Sequence, residues 1–92
     1  MPKYVIEREI PKVGESTVED LRKAAELSNK VLAEMGPTIQ WIESYVTTDK
    51  FYCVYIADNE EQIREHGAKT GFPVSRIEEI KNMTGPERGK YT

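Results

Sequence analysis

The sequence has little of several things that would point to a class of protein. Its single cysteine excludes an internal disulfide framework. No apolar run approaches the roughly 20 residues needed to span a membrane, and the first ten residues have no signal-peptide core. With 13 basic and 16 acidic residues, the net charge of −3 gives no electrostatic reason to expect nucleic acid. We therefore expect a cytoplasmic protein that binds neither membranes nor nucleic acid.

Recognisable catalytic and ligand-binding motifs are also absent from the sequence. It has no C-x-x-C or H-x-x-x-H spacing, no phosphate-binding glycine loop and no nucleophile elbow. Gly14 and Gly36 are isolated and stand where turns are expected. We therefore predict no catalytic residues, and an enzyme is the less favoured class.

What is present has the composition of a small folded domain. The chain has 92 residues, of which 38% are hydrophobic and 32% are charged. A chain of this length buries only about two thirds of its unfolded surface, so its core should be thin. We predict one domain over residues 1–83 and a C-terminal tail at 84–92.

The most strand-like stretch of the sequence is residues 39–57. It holds the only tryptophan, the only cysteine and three of the five tyrosines. Two runs rich in β-branched and aromatic residues flank a short polar connection at 47–50, which predicts a β-hairpin.

The register of this hairpin decides which side chains share a face. A turn with an even number of residues would place Ser44 opposite Cys53. Strict alternation would then put Trp41, Glu43 and Tyr45 together on the other face. A bulge in the turn would reverse this assignment, because a one-residue slip moves each side chain to the opposite face.

The remaining segments predict two helices and two more strands. In chain order these are a strand at 4–10, a helix from a capping box at Ser16–Glu19 to Gly36, a helix from Asp58 to about Thr70, and a strand within 74–83. In the last segment Ile77 and Ile80 are three residues apart rather than two. This spacing favours a strand with a bulge or one that begins near Glu78.

The order of elements, strand-helix-strand-strand-helix-strand, predicts an α+β fold. Two helices can cover only one face of a four-stranded sheet, and right-handed crossovers favour the ferredoxin-like βαββαβ sandwich with an antiparallel sheet. The face opposite the helices should carry aromatic side chains that a small monomer would leave exposed. We therefore predict a homodimer formed through this open sheet face.

Three segments of the sequence resemble a known family. They are PKYVIER at the start, GPTIQWIESYVTTDKFYCVYIA in the centre and REHGAKTGFP after it. Together they are similar to the small nickel-binding-protein-like family of bacterial ferredoxin-like domains, over nearly the whole chain up to about Met83. The resemblance implies a homodimer and, in at least one branch, nickel bound at the dimer surface. Where related sequences often carry histidine this chain has Glu43, a harder and weaker ligand for nickel than imidazole.

Four residues are candidate ligands for a divalent metal, nickel being the ion that the resemblance implies: His66, Glu43, Cys53 and Glu7. An imidazole is needed, because oxygen ligands alone would favour magnesium or calcium. Each residue also has a purely structural interpretation. His66 can pack beside the sheet, Cys53 can act as a small buried hydrophobe, and the two glutamates can be solvated or interfacial.

Three classes of function stay open at the level of sequence. The first is a dimer that binds a metal or a small ligand. The second is a cofactor-free enzyme of the antibiotic-biosynthesis-monooxygenase type, a dimeric α-β barrel whose pocket is lined by aromatic residues and a histidine. A tautomerase using Pro2 is a weaker variant, since a strand start explains that proline. The third is a structural or regulatory dimer without chemistry.

Overall fold

The computed structural model describes residues 1–89, within which the chain forms four strands and three helices. They are β1 (Lys3–Glu9), α1 (Val18–Met35), β2 (Gln40–Val46), β3 (Lys50–Ile56), α2 (Glu60–Thr70), β4 (Arg76–Ile80) and α3 (Pro86–Gly89). A 3₁₀ turn at Val13–Glu15 lies between β1 and α1. The last three residues of the predicted tail, 90–92, lie outside the described residues. No helix in the described part of the chain is long and apolar enough to cross a membrane.

The four strands form one antiparallel sheet in the order β2-β3-β1-β4. The face that we call the helix face contributes the sheet residues of the core: Tyr4, Ile6, Cys53 and Tyr55. Ile63 of α2 packs there, as do Leu32 and Met35 of α1. On the opposite face, the open face, the two central strands present Val5, Glu7, Tyr52, Val54 and Ile56. The predicted ferredoxin-like α+β sandwich with both helices on one face is confirmed.

Helix α1 begins one residue later than the sequence predicts. Thr17, in an extended conformation, accepts a hydrogen bond from the backbone N–H of Asp20, and the Asp20 carboxylate accepts one from the backbone N–H of Thr17. The predicted box at Ser16–Glu19 is wrong because Ser16 belongs to the 3₁₀ turn, where its N–H donates to the carbonyl of Val13. At the other end, Gly36 adopts a φ of 99°, which only glycine adopts readily.

Helix α2 begins at Glu60, two residues later than the sequence predicts, ends at Thr70 as predicted, and has a thin apolar stripe. Asn59 caps it by accepting from the N–H of Gln62, and Ile63, His66 and Gly67 are its buried residues. A Cβ at Gly67 would lie 2.7 Å from the Cγ2 of Val74. The missing side chain therefore lets the segment before β4 pass close to the helix.

The hairpin has the even-turn register, with one irregularity. Ser44 lies opposite Cys53 and Tyr45 opposite Tyr52, as predicted. A bulge between Trp41 and Glu43 then shifts the register, so Trp41 lies opposite Tyr55 and packs on the core. The expectation that Trp41 shares a face with Glu43 is wrong, because the extra residue at the bulge turns the strand over.

Strand β4 is more regular than its isoleucine spacing suggests. It begins at Arg76 and pairs with β1 without a shift, Ile77 opposite Ile6 and Ile80 opposite Lys3. The two isoleucines therefore point to opposite faces, and only Ile77 packs against the core. The expectation of a bulge or of a start near Glu78 is wrong, because Ile80 serves the open face.

Candidate functional site

A cavity of about 410 Å³ separates the first half of α1 from the helix face of the sheet. We call it the cleft. Its α1 side is formed by Leu21, Ala24, Ala25 and Ser28, and its sheet side by Arg8, Trp41, Ser44, Phe51, Cys53 and Tyr55. Ile10, Val13, Phe72 and Pro73 are among the residues that complete the wall. A volume of this size is typical of small-molecule sites, which are mostly apolar and contain a few placed polar groups.

The cleft exists because the two halves of α1 differ in side-chain size. In the second half, Val31, Leu32 and Met35 reach the core and hold the helix against the sheet. In the first half, Ala24 and Ala25 face the sheet with side chains too short to fill the space.

The bulge in β2 supplies one wall of the cleft. The Trp41 indole stacks on the ring of Tyr55, with 6.5 Å between the ring centroids and 16° between the planes. Its Nε1 donates a hydrogen bond to the Oγ of Ser44 at 2.8 Å. Two aromatic rings are thereby fixed side by side on the helix face.

Three polar side chains from different elements meet beside this wall. The Ser28 Oγ of α1 lies 3.1 Å from the Nε2 of His66 on α2 and 3.4 Å from the hydroxyl of Tyr55 on β3. Burial, and secondly the nearby charge of Arg8, lower the pKa of His66 to about 4. Burial raises the pKa of Tyr55. His66 and Tyr55 are therefore both neutral at pH 7.

Arg8 is the charged residue buried in the cleft, with only 2% of its surface exposed. Its Nη1 donates to the carbonyl oxygen of Pro73 at 3.0 Å, and its guanidinium lies 5.7 Å from the ring centroid of Phe72. Its Nε and Nη2 have no hydrogen-bond acceptor among residues 1–89. Nor does any carboxylate in that part of the chain form an ion pair with Arg8.

Comparison with known proteins agrees with this fold. A family model described as nickel responsive protein SCO4226-like matches residues 4–80. The chain belongs to this SCO4226-like family. The resemblance seen in the sequence is thereby confirmed.

A solved structure is similar to this SCO4226-like chain as well. The crystal structure of SCO4226 from Streptomyces coelicolor A3(2) superimposes with a TM-score of 0.75, over 89% of this chain and 99% of that chain. The sequence identity is 12%, so the likeness shows the fold alone. No protein with a curated description matches the sequence.

The four candidate metal ligands lie on different sides of the sheet of this SCO4226-like chain. His66 and Cys53 are buried on the helix side. Glu7 and Glu43 belong to the open face, where Glu7 lies opposite Tyr52 and Glu43 opposite Val54. No group of three His, Cys, Asp or Glu side chains in residues 1–89 could hold a metal ion. The four residues do not fit one nickel site within a single subunit, and a site shared between subunits stays a prediction.

Sequence reasoning did not identify Arg8 as a site residue. The sequence did contain a signal, because Arg8 continues the alternation of Tyr4 and Ile6 and so shares a face with these two large apolar residues. An arginine at a core position of a strand needs a partner, and this requirement could have marked it. The position of His66 agrees with its purely structural interpretation, a ring packed beside the sheet, and its role as a metal ligand stays a prediction.

Proposed function

We propose that this SCO4226-like protein is a homodimer that binds a small, largely apolar molecule in the cleft. The single observation that carries the proposal is the cleft itself, about 410 Å³ between an aromatic wall and a helix with small side chains. Leaving such a space costs packing energy, since protein interiors are normally filled to crystal-like density. A bound ligand would recover those contacts.

Binding is favoured over catalysis by the state of the polar groups around the cleft. Ser28, His66 and Tyr55 contact one another, and the latter two are neutral at pH 7. A buried network of this kind orients a ligand more readily than it transfers protons at neutral pH.

The cleft can be tested by filling it. N-phenyl-1-naphthylamine, an uncharged dye that fluoresces in apolar surroundings, would be titrated into the wild type and into Ala25→Phe. We expect at least a tenfold loss of affinity in Ala25→Phe, because its ring would occupy the space between α1 and the sheet. Ala33→Phe is the matched control, since Ala33 lies on the same helix but is exposed.

Two results bear against the cleft as a binding site. Wild type that does not bind the dye would contradict it, and so would equal binding by folded Ala25→Phe. Circular dichroism of each variant establishes that the fold is intact, and Ala24→Phe provides a second filled cleft.

The homodimer is supported by the open face. Val5, Val54 and Ile56 form an apolar strip on its middle strands, flanked by the ion pairs of the same face, and Tyr45 on β2 is 55% exposed. A second copy packed face to face around a two-fold axis would cover this surface without any further element. Light scattering at micromolar concentration tests it, and a monomeric mass across a range of salt would exclude it.

A second candidate function is nickel binding, which the description of the family favours. The accessible donors for such a site are the open-face carboxylates Glu43 and Glu7, supplemented by groups of the second subunit. His66 and Cys53 could contribute only on the helix side of the sheet, where Cys53 lines the cleft and His66 contacts Ser28. Carboxylates alone are poor nickel ligands, so we expect weak binding.

Calorimetric titration of nickel and zinc at pH 7.5 tests this candidate. With an open-face site, Glu43→Gln weakens nickel binding and His66→Ala leaves the isotherm unchanged. Loss of binding in His66→Ala alone would instead locate the metal on the helix side of the sheet. A wild type that takes up no nickel would exclude the function.

A further inference from the structure

Arg8 presents an energetic problem that the rest of the described chain does not solve. A guanidinium with 2% exposure has lost its hydration, and a buried charge is normally compensated by a partner of opposite charge. Here the protein supplies one carbonyl oxygen, from Pro73, and the face of one aromatic ring, from Phe72, and the hydroxyl of Tyr55 lies beside the guanidinium. None of these groups carries a full negative charge.

The titratable groups around Arg8 do not compensate its charge. His66 is held neutral, partly by Arg8 itself, and burial keeps the Tyr55 phenol protonated. Two carboxylates do line the cleft, Glu9 and Asp20, and both are exposed. Asp20 is already engaged as the acceptor in the helix cap, and Glu9 lies opposite Lys50 in the register of the sheet. A ligand that enters the cleft would therefore have to provide the negative charge that compensates Arg8.

The unpartnered atoms of Arg8 have a definite arrangement. Nε and Nη2 form one edge of the planar guanidinium, and their two N–H bonds point in parallel from that edge. This fork matches the two oxygens of a carboxylate or a similar oxyanion. The remaining contacts, Nη1 to Pro73 and the guanidinium to Phe72, fix the plane of the fork.

We propose that the ligand of the cleft is an apolar molecule with a single oxyanion group, which Arg8 binds through its Nε–Nη2 edge. Both atoms are covered in the structure, so the side chains around them must shift as the oxyanion enters. This inference rests on the proposed function and specifies the chemical class of ligand. The apolar part of the molecule would lie along Leu21, Phe51 and the stacked rings of Trp41 and Tyr55. Its acidic group would bind Arg8, and the negative charge of the ligand would compensate the buried positive charge of the guanidinium.

A matched pair of dyes separates this inference from the proposed function. 8-Anilinonaphthalene-1-sulfonate has the same aromatic skeleton as N-phenyl-1-naphthylamine and one added sulfonate. We expect wild type to bind the sulfonate at least tenfold more tightly than the uncharged dye. In Arg8→Met, which keeps the apolar stem of the side chain and removes its charged end, the sulfonate should lose this advantage and the uncharged dye should bind as before.

The controls assign each outcome. Arg64→Met removes an exposed arginine of α2 and should leave both affinities unchanged. Ala25→Phe should weaken both dyes, since it fills the cleft. If neither dye binds wild type, the proposed function fails. If both bind equally well, the cleft is a binding site but the inference about its acidic ligand is wrong.

The proposal could still be tested if Arg8→Met failed to fold. The comparison of the two dyes on wild type needs no variant at all. Arg8→Lys then provides a milder change, because lysine keeps the charge as a point and loses the two-pronged edge. We expect the sulfonate to bind Arg8→Lys three- to tenfold more weakly than wild type. Unchanged affinity would mean that the planar edge is not used.

Discussion

Charged side chains on the two faces of the sheet differ in whether they have a partner of opposite charge. On the open face, Glu7 pairs with Lys50 at 3.4 Å and Arg76 pairs with Glu78, each pair partly in water. On the helix face, Arg8 is buried and has no carboxylate partner among residues 1–89. Exposed pairs of this kind contribute little to stability, whereas an unpaired buried charge is a substantial cost. A charge that the fold leaves uncompensated is therefore a better guide to function than one that it pairs.

The largest effect is expected from a charge placed in the middle of the open face. Tyr52 lies between Glu7 of β1 and Tyr45 of β2 on that face. Tyr52→Arg would place a guanidinium inside the proposed interface, where burying it is costly. In the free subunit the same group can pair with Glu7 in water. We expect the dimer to dissociate completely at micromolar concentration, with unchanged helical circular dichroism.

The matched control for the open face is Val18→Arg. Val18 is also an exposed apolar residue, at 85%, but it lies at the start of α1 and not on the sheet. Its mass by light scattering should equal that of the wild type. A dimer that survives in Tyr52→Arg would show that the interface lies elsewhere.

A smaller effect is expected from the titration of His66 on the helix face. Its pKa of about 4 lies below the value of 6.5 for an unfolded chain, so unfolding takes up a proton between these pH values. The stability that His66 contributes is complete above pH 6.5 and is lost as the pH falls toward 4. The full contribution is about 3 kcal/mol at most.

His66→Gln isolates this contribution, because an amide can still contact Ser28 and does not titrate. The free energy of unfolding in urea would be measured for both proteins at pH 7.5 and pH 4.5. We expect wild type to lose about 2 kcal/mol more than the variant between the two conditions. Equal losses would mean that His66 is not held neutral by the fold.

The smallest effect is expected on stability, when the buried charge of Arg8 is removed and no ligand is added. Arg8→Met relieves the desolvation of the guanidinium and forfeits one hydrogen bond, to the carbonyl of Pro73. Pro73 itself is exposed, so water can replace that bond. We expect the variant to be more stable than wild type by about 1 kcal/mol. Destabilisation relative to the Arg64→Met control would indicate that Arg8 serves the fold.

Much of the fold could be predicted from the sequence, because the local pattern of most segments favours the structure that they adopt in the complete fold. Helix α2 has a cap at Asn59 and a thin apolar stripe, and the hairpin alternates as a half-buried sheet should. The start of α1 was predicted one residue too early because Ser16 and Thr17 can both act as the N-cap. The choice between them depends on the 3₁₀ turn that precedes the helix. The bulge beside Trp41 has no glycine or proline to mark it.

The site was harder to predict than the fold, because the cleft forms where side chains are too small to fill the space between α1 and the sheet. His66 and Cys53 were recognised as unusual single residues, and both lie on the helix side. The cleft arises from small residues such as Ala25, which alternation and periodicity count simply as helix. Arg8 has ordinary neighbours in sequence, and its missing partner is visible only when all elements that surround it are known.

The bulge at Ile42 also affects whether strands of other molecules can add to the sheet. Strand β2 is an edge of the sheet, and a straight edge of seven residues is a template on which strands of other molecules can add. The extra residue breaks the regular spacing of backbone groups and increases the local twist, so a second edge cannot align along the whole strand. Deleting Ile42 would straighten β2 and move Gln40 and Trp41 to the opposite faces. We expect such a chain to form fibrils during refolding, where the wild type stays dispersed.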